Sequence, residues 1–200
     1  MIYRKNSSEL NKTYWETKYT NKSTGWDIGS ISTPLEAYFS QLSTNDINIL
    51  IPGAGNSYEA EYLHHQKFKT VDVIDIASQP LQNLKYRVPT FQAENLIQND
   101  FFKHSKKYHL IIEQTFFCAL HPENRVNYAQ KMIDLLEDNG KLVGLLFDYE
   151  LTENGPPFGG CLDEYLELFS PYFHIKVLER CYNSIKPRFG RELFFIFEKK

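Results

Sequence analysis

The chain has 200 residues, with 22 Lys and Arg against 25 Asp and Glu and a net charge of −3. It contains no long Lys/Arg block, so the electrostatic footprint of a nucleic-acid binder is missing and a small-molecule partner is the default. Fifteen Phe, 13 Tyr and 24% charged residues describe a packed soluble protein, and the absence of a linker-like composition shift reads residues 1–200 as one domain.

Cys118, Cys161 and Cys181 are odd in number and lack CxxC spacing, which indicates neither a disulfide framework nor a metal site. Residues 1–6 lack the apolar stretch of a signal peptide, and the longest aliphatic run, 142–147, is too short to span a bilayer. A cytoplasmic monomer with no membrane partner is expected.

In chain order, residues 1–33 are aromatic and polar and are read as a lid segment ahead of a core at 34–200. Residues 48–51 form a short β-branched run ended by Pro52-Gly53, a buried strand followed by a glycine turn. Residues 57–66 predict a helix that Asn56 or Ser57 can cap. The pattern repeats as a strand at 70–76, a helix at 78–86, a further short strand near 93–97, and a strand at 108–113. A helix is predicted over 123–136, closed by Asn139-Gly140, then a strand at 141–147, a helix at 162–169, and strands at 175–182 and 192–198 joined by a turn at 187–190. Alternation at this spacing implies βαβ units, a mostly parallel α/β sheet of the Rossmann-like kind with helices on both faces, and an antiparallel edge hairpin at the C-terminus.

In such sheets the ligand lies beyond the carboxyl ends of the strands. Pro52-Gly53-Ala54-Gly55 permits a sharp turn and close backbone approach there. Asp75, about 20 residues after Gly55, stands where a carboxylate accepts ribose hydroxyls, although a strand-end Asp also serves as a plain cap. Asn99-Asp100-Phe101-Phe102 pairs a carboxylate with an aromatic plane, a combination suited to adenine. Glu113-Gln114 and then Phe116-Phe117-Cys118 leave the fourth strand at the mouth, while Gly155-Pro156-Pro157-Phe158 is a stiff loop that can wall a pocket or simply cross over. Gln114, Phe117 and Phe158 are therefore candidate substrate-pocket residues. His121 and Arg125 can face that pocket, although capping or surface roles are commoner for such positions.

Taken together, Trp15-Glu16, Trp26-Asp27-Ile28-Gly29, Thr33-Pro34, Pro52-Gly53-Ala54-Gly55, Asp75-Ile76, Asp100-Phe101-Phe102, Phe117-Cys118-Ala119 and Gly155-Pro156-Pro157-Phe158 resemble the thiopurine S-methyltransferase superfamily, nearer its halide/thiol branch. The resemblance runs from Trp15 to the C-terminus. It implies a class I methyltransferase fold of seven strands and S-adenosylmethionine as methyl donor, with cofactor contacts at Trp15, Tyr19, Trp26, Gly53, Gly55, Asp75, Ile76, Asp100, Phe101 and Gln114. The family's thiopurine enzymes tend to carry Arg at the place of Gln114 and its halide/thiol branch Tyr. A neutral Gln cannot hold an anionic heterocycle by charge, so a thiopurine preference does not transfer.

The implied reaction is an in-line methyl transfer to a small soft nucleophile: a thiol, hydrosulfide, halide or thiocyanate. Such a nucleophile needs alignment more than a general base, and no metal. Two rivals share these features. A nicotinamide-dependent oxidoreductase has the same strand, glycine turn and acidic strand end, but needs a third glycine where Tyr58 stands. A non-catalytic small-molecule-binding protein can use the same fold.

Overall fold

The computed structural model describes residues 9–200. The residues read above for a targeting signal, and the first part of the lid segment, lie outside the described residues.

Seven strands form one sheet: β1 (Asn48–Pro52), β2 (Thr70–Asp75), β3 (Leu96–Gln98), β4 (Tyr108–Gln114), β5 (Leu136–Phe147), β6 (Phe173–Arg180) and β7 (Glu192–Lys199). Their spatial order is β3-β2-β1-β4-β5-β7-β6. The first five are parallel, and β7 runs antiparallel between β5 and β6. The expected edge hairpin is therefore present. Strand order reverses between β1 and β4, and at such a switch point the diverging connections leave a crevice.

The strands are apolar on both sides because both sides are covered. Side chains alternate along a strand, so Leu50 of β1 enters one core and Ile49 and Ile51 the other. The Leu50 core is closed by α5 (Arg125–Leu135) through Tyr128 and Met132, and by α6 (Leu162–Phe169) through Tyr165 and Phe169. The opposite core is closed by α2 (Thr33–Phe39), α3 (Tyr58–His65) and α4 (Ser78–Arg87) through Leu35, Phe39, Leu63, Leu81 and Leu84.

Three expectations change. The predicted helix at 123–136 starts as a 3-10 turn, Pro122–Asn124, and the α-helix ends at Leu135. Asn139-Gly140 does not close that helix. The chain passes straight into β5, where Leu136 already pairs with Tyr108, and the pairing resumes at Leu110 with Lys141 across a bulge. Asn139 takes the left-handed turn there, φ 61°. Residues 93–97 divide into a 3-10 turn, Ala93–Asn95, and the short β3. Finally, the lid segment contains a helix that the sequence reading did not predict, α1 (Lys12–Thr20), capped by the Asn11 side chain and with none of its own side chains fully buried.

Gly144 shows how closely β4 and β5 approach. A Cβ there would lie 2.1 Å from the carbonyl oxygen of Glu113 on the paired strand, so a side chain must push the two central strands apart. Gly144→Ala is expected to lower unfolding free energy by about 1–3 kcal/mol in urea denaturation. Gly25→Ala, where a Cβ meets nothing within 4 Å, should change it by less than about 0.5 kcal/mol.

Candidate active site

The crevice opens into a cavity of about 730 Å³ at the carboxyl ends of β1, β2 and β4. Its two ends differ in chemistry.

At one end the β1–α3 turn carries three left-handed residues, Gly53, Gly55 and Ser57. The amide of Gly53 donates to Ile74 O at 2.7 Å, and a Cβ on Gly53 would lie 2.1 Å from the ring of Phe116. Glycine is thus required twice over, by φ and by a neighbour. Ser57 does not cap α3 with its side chain; its hydroxyl donates back to Gly55 O at 3.0 Å.

Asp75, 8% exposed, ends β2 in the cavity wall. One of its oxygens accepts the Ala77 amide at 2.8 Å in the turn ahead of α4, and that helix has no side-chain cap, so Asp75 is not its cap. Burial pushes its pKa up from 3.8 to about 6, with the backbone amides of Ala77, Gly55 and Ile76 opposing the rise. Across from it, burial and then the Asp75 charge raise the Tyr19 phenol above its usual value, while the Trp26 indole N–H donates to the phenol oxygen.

Trp26 meets Tyr19 and Trp15 edge to face, with ring centroids 5.8 and 5.6 Å away. These rings form an aromatic roof carried by α1 and the loop after it. Glu16 ties the roof to the body by accepting the Ser78 hydroxyl at 3.3 Å, and the Asp27 carboxylate takes a short hydrogen bond from the Asn56 amide. Asp100 accepts the Phe102 amide at 3.0 Å, and Phe101 is held edge-on to Phe116 at 5.1 Å.

The other end is shaped by Glu113, which is fully buried. Its Oε1 accepts the amides of Phe116 and Phe117 at 2.7 and 2.9 Å, and its Oε2 accepts the Tyr128 hydroxyl at 2.5 Å. Burial pushes this carboxyl up to about 7. The turn it organises sends Phe116, Cys118 and Leu120 to the cavity, joined by His121, Phe147 and the Pro156-Pro157 pair.

Trp15, Tyr19, Trp26, Gly53, Asp75, Ile76, Asp100 and Phe101 all line the one cavity. Five other candidates do not. Phe117, 1% exposed, is rotated inward by the 3-10 turn Phe117–Ala119, onto Tyr128 at 5.0 Å and beneath the Arg125 guanidinium. Phe158, also 1% exposed, backs the wall behind His121, with centroids 5.8 Å apart. Gln114 turns to Ser32, whose hydroxyl donates to its Oε1 at 3.3 Å. Gly55 lies behind Tyr19 and Trp26. Arg125 binds Glu164 and the Gly159 carbonyl rather than facing the cavity. The residue that sequence reading missed is Arg188, in the β6–β7 turn, which lines the cavity. Nothing local distinguishes it from a surface arginine.

A buried strand-end carboxylate beneath aromatic faces suits a ribose and a sulfonium, and Asp100 beside Phe101 suits an adenine. Fold and crevice together define a class I methyltransferase that uses S-adenosylmethionine. The 1,6-didemethyltoxoflavin-N1-methyltransferase of Burkholderia thailandensis, solved with S-adenosylhomocysteine, has the same fold: TM-score 0.74 at 16% identity, over 96% of this chain and 88% of that one.

Within that class, the chain belongs to the thiopurine S-methyltransferase family, whose model matches residues 10–199. It is similar to the probable thiol methyltransferase 2 of Arabidopsis thaliana, 28% identical over 176 residues, covering 85% of this chain and 77% of that protein. It is also similar to thiocyanate methyltransferase 1 of Brassica oleracea, 26% identical over 185 residues, 89% of this chain and 81% of that one. Family membership decides for the methyltransferase over the oxidoreductase and the non-catalytic binder.

The raised carboxyl of Asp75 has a consequence for stability. The folded state binds that proton more tightly than the unfolded chain, so its contribution is complete below about pH 4 and is lost as pH rises through about 6; the raised Glu113 acts in the same direction. Asp75→Asn removes the Asp75 share. The stability of the variant relative to wild type should therefore rise by about 2–3 kcal/mol between about pH 4 and about pH 7, read by urea denaturation. A difference that stays flat across that range contradicts the raised value.

Proposed function

We propose that this enzyme methylates a small soft nucleophile, a thiol, hydrosulfide, halide or thiocyanate, by in-line displacement. The observation that carries the reading is the polarity of the cavity. An acidic and aromatic donor end faces an acceptor end whose wall is mostly apolar, Phe116, Leu120, Phe147 and Pro157, with His121 and Arg188 at its border. An apolar wall favours a weakly hydrated nucleophile over a strongly hydrated one. The names of the thiol and thiocyanate methyltransferases among its relatives point the same way.

When bound, S-adenosylmethionine supplies a methyl group already activated by a positive sulfur. The chain's own residues then hold and shield. Asp75 accepts the ribose hydroxyls, Asp100 receives the adenine amino group, and Phe101 and Ile76 pack on the base. Gly53 lets the backbone approach the donor. Trp15, Tyr19 and Trp26 cover the sulfonium side with aromatic faces and exclude water. At the acceptor end Phe116 and Phe147 restrict the approach of the nucleophile, which is where alignment gains rate.

In this reading the described part of the N-terminal segment, residues 9–33, is a lid on a single catalytic domain. The enzyme is read here as a monomer, and no helix of the described residues is long and apolar enough to cross a membrane. The three cysteines are free, which fits a reducing, cytoplasmic setting.

Calorimetric titration with S-adenosylmethionine, with a nicotinamide dinucleotide as control, tests the donor site. Asp75→Ala is expected to weaken donor binding by at least about tenfold, a loss of about 1.4 kcal/mol. Wild-type affinity should fall as pH drops below about 6 and Asp75 takes up its proton. Consumption of thiocyanate, hydrosulfide, iodide or a small thiol tests the acceptor class. A protein that binds donor and turns over none of them would refute the acceptor assignment.

A further inference from the structure

Arg188 lies in the 3-10 turn Lys186–Arg188 between β6 and β7, far along the chain from the donor end. Its side chain is only 11% exposed, yet it borders the cavity. One amino group of the guanidinium donates to the Trp26 carbonyl at 2.8 Å. The other faces the carboxylate of Glu192, 2% exposed, at 3.4 Å, and the plane lies 5.7 Å from the Phe147 ring. Burial raises the carboxyl of Glu59, whose Oε1 accepts the Ser32 amide at 3.2 Å, and the Arg188 charge is among the groups that oppose the rise.

Two other polar attachments of the lid, Glu16 to Ser78 and Asp27 to Asn56, reach the donor-side helices and turn. Arg188 reaches it from the acceptor side. Fixing the Trp26 carbonyl fixes the indole, and the indole fixes Tyr19 above Asp75. Resting on the donor site argued above, we propose that Arg188 is a positioning residue, through which the C-terminal hairpin holds the aromatic lid closed over the methyl donor.

A guanidinium spans two acceptors with a rigid fork, and an ammonium is a single point charge that cannot. Arg188→Lys therefore keeps the charge that Glu192 and Glu59 require and gives up the simultaneous grip on Trp26. Arg188→Met removes both and risks the fold, because it leaves buried carboxylates uncompensated. The protein has only two tryptophans, Trp15 and Trp26, and both lie in the lid, so indole fluorescence reports on the lid alone.

For Arg188→Lys we expect S-adenosylhomocysteine binding by calorimetry to weaken by about tenfold, with more acrylamide quenching of the indoles in the free enzyme. The KM for S-adenosylmethionine should rise while kcat at saturation changes less than about threefold, the pattern of lost uniform binding. Wild-type affinity and wild-type quenching in Arg188→Lys would overturn the proposal. So would a lower thermal midpoint with quenching unchanged, which is the mark of a merely structural contact. A wild-type protein that binds no S-adenosylhomocysteine would instead remove the donor-site reading, and this inference with it.

Discussion

Three hydrogen bonds to one buried carboxylate organise the working end of this molecule. Glu113 receives the amides of Phe116 and Phe117 and the hydroxyl of Tyr128, joining the end of β4 to α5 and forcing the chain into the turn between them. Burying that group is costly unless its lone pairs are met, and here they are met mostly by backbone. The turn then drops Phe116 into the space left by the missing side chain of Gly53, and Gly144 lets β5 approach the same strand. The β1 turn, the β4 turn and the β4–β5 spacing are consequently one coupled arrangement, and the crevice at the switch point inherits its width from it.

Onto this rigid floor the structure sets a roof of different character. The floor is strand ends and tight turns, packed on both faces by helices. The roof is a short polar helix and a loop, attached by side-chain contacts and aromatic edges. Rigid groups that need precise placement, Asp75 and Asp100, sit in the floor; rings that need only to cover and dehydrate sit in the roof. The catalysis proposed above, which depends on alignment and exclusion of water rather than on proton transfer, would be served by that division.

Much of this was legible in the residues. Runs such as Ile49-Leu50-Ile51 and Val71 to Ile74 can be little but buried strands, and a glycine turn after the first with an acid ending the second locates the crevice. What was not legible depended on direction or distance. Phe116 and Phe117 are chemically alike, and only the handedness of the turn after β4 decides that the first faces the cavity and the second the core. Asn139-Gly140 looks like a helix stop, but the pairing of Leu136 with Tyr108 had already claimed the chain for the sheet. Gln114 occupies the place where the family resemblance puts Arg or Tyr, yet it is turned to Ser32. Arg188 acquires meaning only through Trp26, 162 residues earlier, and no local pattern carries that relation.

The exposed character of α1 bears on how the enzyme cycles. A nine-residue helix with no side chain in either core is too short to sustain itself in water, so its order is borrowed from the few contacts beneath it. Its main packing partner is α4 rather than any strand, so we expect it to open ahead of the sheet. In the proposed cycle, entry of the donor and departure of its demethylated product would pass through a segment that opens without any strand separating.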